Sequence, residues 1–62
     1  MKIIDLLDIL NQDRSVQIIR ADLGFPIADY DSINSVDLRF ALEEVNGLDM
    51  DTGIGSYEIY IC

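Results

Sequence analysis

Carboxylates are the side chains through which this chain could do chemistry: twelve Asp and Glu stand against four Lys and Arg, with no His and a single Cys in 62 residues. Asp29 with Asp31, and Glu43 with Glu44, have the residue types for paired acid–base work, in which one carboxyl stays protonated beside an ionised partner. Such a pair needs a cleft that strips away water and moves its proton affinities apart, and a domain this small rarely builds one. Asp49-Met50-Asp51-Thr52-Gly53 opens like a calcium loop. An EF-hand loop then requires Asp or Asn at its fifth position, Gly at its sixth and Glu at its twelfth. Those positions fall on Gly53, Ile54 and Tyr60, so an acidic turn is expected in place of a metal site. Gly53-Ile54-Gly55-Ser56-Tyr57-Glu58 begins like a dinucleotide fingerprint but has Glu58 where the third Gly belongs, and a strand rather than a helix follows. A Gly-supported hairpin loop accounts for it, and no cofactor is expected.

The missing histidine excludes more. No Ser-His-Asp or Cys-His arrangement can form within the chain. One Cys without His cannot supply the four ligands of the usual zinc sites. Lys2, the one lysine, is not preceded by a Gly-rich phosphate loop. Binding is therefore expected rather than catalysis. Cys62 allows no disulfide within the chain, which fits a reducing cytoplasm, and as the last residue it is no prenylation signal. Asp5 and Asp8 interrupt the apolar start, so no leader peptide is expected, and no stretch approaches the length of a membrane span.

A net charge of -8 bears on partners. It repels nucleic acid and anionic membranes and favours basic protein surfaces. Half the residues are hydrophobic, enough for one core, so residues 1–62 are expected to form a single acidic domain. A chain of this size buries only about 60% of its unfolded surface.

The positioning elements follow from periodicity. Ile3, Leu6, Leu7 and Leu10 mark one face of a helix over residues 3–10, with Asp5 and Asp8 turned away. Val16, Ile18 and Ile19 are β-branched and predict a strand over 15–21. Asp22-Leu23-Gly24 reads as a turn, and residues 25–30 as a returning strand that Pro26 confines to a sheet edge. Leu38, Ala41, Leu42 and Val45 predict a second helix over 36–45, with Asp37 in its first turn and Asn46-Gly47 as its stop. Glu43 and Glu44 oppose that helix's dipole. A short strand over 48–50, a loop over 51–55 and a strand over 56–61 form the last hairpin. Tyr57, Ile59 and Ile61 share one face of that strand, and Glu58, Tyr60 and Cys62 the other. The expected fold is α+β, in the order α-β-β-α-β-β, with two short helices packed on a mainly antiparallel sheet.

The opening Met1-Lys2-Ile3-Ile4-Asp5-Leu6-Leu7-Asp8-Ile9-Leu10, followed by Asp13 and Val16-Gln17-Ile18, resembles the starts of short acidic prophage and mobile-element proteins. Some of these are anti-CRISPR proteins. The resemblance covers roughly the first 20 residues and rests on an amphipathic helix followed by a strand. It implies an inhibitor that mimics DNA, its carboxylates occupying a basic groove such as the one in which Cas9-type nucleases read their PAM with arginines. No residue role transfers from it.

Two functional readings lead, ahead of a metal-binding regulator or a fragment of a larger acidic enzyme. One is a small acidic inhibitor that blocks a basic nucleic-acid-binding site on a host protein. The other is a protein-interaction module or a self-associating one, such as a homodimer, whose charge serves solubility. The candidate contacts are Asp29, Tyr30, Asp31, Asp37, Glu43, Glu44, Asp49, Asp51, Glu58 and Tyr60. Tyr is included because it is enriched at interface hot spots. Clustering of the acids on one face would separate the two readings.

Overall fold

Pairing of the two ends of the chain organises the molecule. In the computed structural model, which describes all residues except Thr52, Ile54 and Cys62, strands β1 (Val16–Arg20), β2 (Pro26–Tyr30), β3 (Val45–Asp51) and β4 (Ser56–Ile61) form one sheet in the order β2-β1-β4-β3. β1 and β4 run parallel at its centre, with Val16 beside Tyr57 and Ile18 beside Ile59. Each carries an antiparallel hairpin partner on its outer side. The sheet is therefore mixed, with two of three pairings antiparallel, and the fold is α+β as expected.

Local chemistry explains most boundaries. Gly24 ends the first turn at φ 77°, a backbone region that glycine enters without steric cost. Pro26 opens β2, which lies at the sheet edge as its missing N–H requires. β2 carries an extra residue opposite Ile18 and Ile19. Gly55, at φ 74°, returns the chain into β4. The loop expected over 51–55 is described at Asp51, Gly53 and Gly55, while Thr52, Ile54 and the placement of Cys62 lie outside the described residues.

The first helical segment is a 3-10 helix over Ile3–Asp8. Its Asp5 carboxylate accepts from the Lys2 N–H at 2.9 Å, which secures its start. The tighter winding places Ile3 and Leu6 one above the other, three residues apart, and both are buried together with Leu10. Leu7, expected on the same face, is left partly exposed.

The second helix departs most from expectation. A 3-10 turn, Ile33–Ser35, precedes the expected segment, which itself holds a single α-turn, α1, over Leu38–Ala41. Asp37 caps α1 by accepting from the Arg39 N–H at 3.0 Å. Leu38 and Leu42 of the expected apolar stripe are 85% and 69% exposed. Val45 begins β3, and Asn46-Gly47, expected as a helix stop, sits inside that strand at an irregularity in its pairing with β4. A short isolated helix is marginal, and Glu43 and Glu44 would weaken its C-terminal end. Strand pairing instead satisfies the backbone from Val45 onward, and Glu44 forms a bridge with Lys2.

The helical segments cover one face of the sheet only. Ile3, Leu6, Leu10 and Ile33 meet Val16, Ile18, Ile59 and Ile61 in one core, with Tyr30, Phe40 and Tyr57 packed around it. The Tyr57 hydroxyl accepts from the Asn11 N–H at 3.2 Å and ties β4 to the end of the first helical segment. Ile19 is buried but stands outside this core. Among the described residues, no helix is long and apolar enough to cross a membrane.

Core and stripe positions separate on mutation. Ile59→Ala is expected to cost about 2–5 kcal/mol, as truncations of fully buried Ile do. Leu42→Ala should stay within about 0.5 kcal/mol. Urea unfolding of both variants checks this; a large loss at Leu42 would restore the buried helical stripe that the fold denies.

Candidate functional site: the open face of the sheet

Side chains alternate across a strand, so the residues between the core positions line the opposite, uncovered face. On β1 these are Gln17 and Ile19, and on β4 Ser56, Glu58 and Tyr60. Counting from Gly47, those of β3 are Gly47, Asp49 and Asp51, and those of β2 are Ile27 and Asp29. The register joins them into rows. Asp29 lies beside Gln17, Gln17 beside Glu58, and Glu58 beside Asp49. Three carboxylates and one amide thus cross all four strands, spanning roughly 14 Å at the usual strand spacing. One step along, Asp51 lies beside Ser56, whose hydroxyl is hydrogen-bonded to that of Ser15.

In the other direction the face turns apolar. Ile19 lies beside Tyr60, and Tyr60 beside Gly47. The Tyr60 ring overlies Gly47: a Cβ placed there would meet its Cδ2 at 3.7 Å. Ile19 is only 4% exposed although no helix covers this side of the sheet.

The charge of this face is unbalanced. Asp29, Asp49, Asp51 and Glu58 project from it, and none of them belongs to an ion pair among the described residues. Among the described residues, Asp49 and Asp51 accept only from nearby backbone, the N–H groups of Met50 at 2.8 Å and Gly53 at 2.9 Å. Arg20 is the one basic residue within a strand. It shares the side of Val16 and Ile18 and reaches Asp22 at 3.4 Å. Arg14, just before β1, donates to the Gly55 carbonyl at 3.3 Å. Asp49 and Glu58 are direct cross-strand neighbours, an arrangement of like charges that destabilises a sheet by roughly 0.2–1 kcal/mol. The carboxylates are strung out rather than convergent: among the described residues, no three of His, Cys, Asp or Glu are grouped to hold a metal ion.

The remaining candidates are dispersed. Asp31 follows β2 at the sheet's edge. Tyr30 turns to the core side, where its ring meets Phe40 edge-on at 6.5 Å between centroids. Asp37 serves as the α1 cap, and Glu44 holds the terminal amine of Met1 at 3.2 Å. Glu43 is exposed between α1 and β3. Gln17 and Ile19 belong to the face although their polarity and burial in the sequence mark them only as strand residues. Their parity relative to Val16 and Ile18 was the available signal.

Compared with family models, curated proteins and solved structures, the chain matches none.

Glu58→Gln removes the like-charge contact with Asp49 without shortening the side chain. Stability in urea is expected to rise by about 0.2–1 kcal/mol at low ionic strength, and the gain should shrink as salt is added. A loss of stability would mean that Glu58 has a favourable partner within the fold.

Proposed function

We propose that this chain is a non-enzymatic acidic binding protein that docks the open face of its sheet on a basic surface of a partner protein. The observation that carries the reading is the row Asp29–Gln17–Glu58–Asp49, extended by Asp51, on a face whose strand positions hold no basic residue. Carboxylates held on a sheet present negative charge in a fixed array, as a nucleic-acid backbone does, and such an array favours basic grooves over neutral surfaces. Ile19 and Tyr60 at the other end of the face supply an apolar contact, which adds adhesion that salt does not screen. Together with the resemblance of roughly the first 20 residues to short phage and mobile-element proteins, this supports an anti-CRISPR-like inhibitor that mimics DNA and blocks a nucleic-acid-binding site of a host protein in the cytoplasm. Direct binding to nucleic acid or to an anionic membrane is disfavoured by the same charge.

A second reading is a protein-interaction or self-associating module whose charge serves solubility. Exposure of Leu38 on α1 and of Leu42 at its C-terminal cap favours it.

The immobilised protein and its Asp29→Asn/Asp49→Asn/Glu58→Gln variant, offered host lysate at low salt, distinguish the two. The expected result is a basic nucleic-acid-binding protein retained by the wild type, displaced by added duplex DNA, released as salt rises, and bound at least about tenfold more weakly by the variant. A partner held equally by both proteins at high salt, and indifferent to DNA, would refute the mimicry.

A further inference from the structure

On the side of the molecule away from the open sheet face, a groove of about 90 Å³ runs between the first 3-10 helix and α1. Ile3 and Ile33, both buried, form its floor, and Ile4, Leu7, Leu38 and Ala41 its walls. Asn34 is its one polar lining residue. Ile4 is 45% exposed and Leu38 85%, so the walls are apolar and wet, a combination that marks interaction sites when the residues are contiguous. A cavity of about 150 Å³ holds a benzene ring, so this smaller groove suits one branched aliphatic side chain.

Charge selects the occupant. The segments that build this side, residues 1–10 and 33–44, carry five carboxylates, Asp5, Asp8, Asp37, Glu43 and Glu44, against Lys2, Arg39 and the Met1 amine that Glu44 holds. The Arg39 guanidinium lies over the Phe40 ring at 4.8 Å and within 4.0 Å of Asp37. Asp8 has no ion-pair partner among the described residues. A second copy would bring another net charge of -8, whereas a cationic segment meets complementary charge on the segments that carry the apolar groove. We infer that this groove receives a Leu or Ile side chain of a Lys- or Arg-rich amphipathic helix. This surface is distinct from the sheet face, and the inference does not rest on the function proposed for that face.

The probe is a fluorescein-labelled helical peptide with Leu at positions i, i+3, i+4 and i+7 and Lys elsewhere, read by anisotropy. A control peptide keeps the leucines and replaces Lys by Glu. Ala41→Leu fills the groove from its wall, and Leu38→Ser, at a side chain that the core does not use, removes one wall without touching the fold. Binding of the Lys peptide is expected to weaken about tenfold or more in both variants and to persist in Asp49→Asn/Glu58→Gln. The methyl resonances of Ile4, Leu7 and Leu38 should shift on titration while Ile19 stays still. The inference is overturned if both groove variants bind as the wild type does, if the sheet-face variant abolishes binding, or if the Glu peptide binds equally well. It is also overturned if sedimentation shows a dimer of the chain that Leu38→Ser dissociates, since a second copy would then cover the groove.

Discussion

Parallel pairing of β1 with β4 is the constraint on which the other features depend. The two hairpins could each form locally, but neither buries enough apolar surface to stand alone. Joining them through their inner strands places Val16, Ile18, Ile59 and Ile61 side by side, all at 1% exposure or less. Ile3, Leu6, Leu10 and Ile33 then have a surface to pack against. The joined strands are separated by both hairpin partners and the helical segments between them, so the core depends on contacts of high sequence separation, such as Val16 beside Tyr57. Such contacts close loops before they are rewarded and slow folding.

The same pairing explains why a face stays open. Parallel strands usually lie between two layers of helix. Here, among the described residues, the helical segments are two 3-10 stretches and one α-turn, enough to cover a single side. The other side must manage without a second layer. It does so by placing Ile19 beside Tyr60, whose ring also overlies Gly47, and by giving the next rows to Gln17, Ser56 and the carboxylates.

Much of this was legible residue by residue. The β-branched run at Val16–Ile19, the Gly24 turn, Pro26 at an edge and the two faces of β4 follow from local sterics and alternation. The segment 36–45 was misleading because Leu38, Ala41, Leu42 and Val45 satisfy helical spacing, yet spacing does not say whether anything lies opposite. Leu38 and Leu42 stay 85% and 69% exposed, and Val45 contributes more by pairing with β4. The parallel centre was illegible for a different reason: strand partners are chosen over the whole chain, and no local pattern in β1 points to β4. That choice also assembles the candidate site. Glu58 and Tyr60 share a face by alternation alone, whereas bringing Asp29 into their row requires the strand order. Asp37 and Glu44 were separated from it by roles in capping and in holding the N-terminus.

Edge protection offers an explanation for part of the acidic face that needs no partner. Charges on edge strands block unwanted pairing with other sheets, and Asp29, Asp49 and Asp51 all lie on β2 and β3. Glu58 is not covered by that account. It stands on a central strand, whose backbone is paired on both sides, beside a like charge on Asp49 and an uncharged Gln17. A solubilising charge would be less costly almost anywhere else on the surface. A carboxylate kept in the middle of an open face, at some expense to the sheet, is instead what a basic partner would require. Glu58 is therefore the residue at which solubility and recognition part as explanations of this protein's charge.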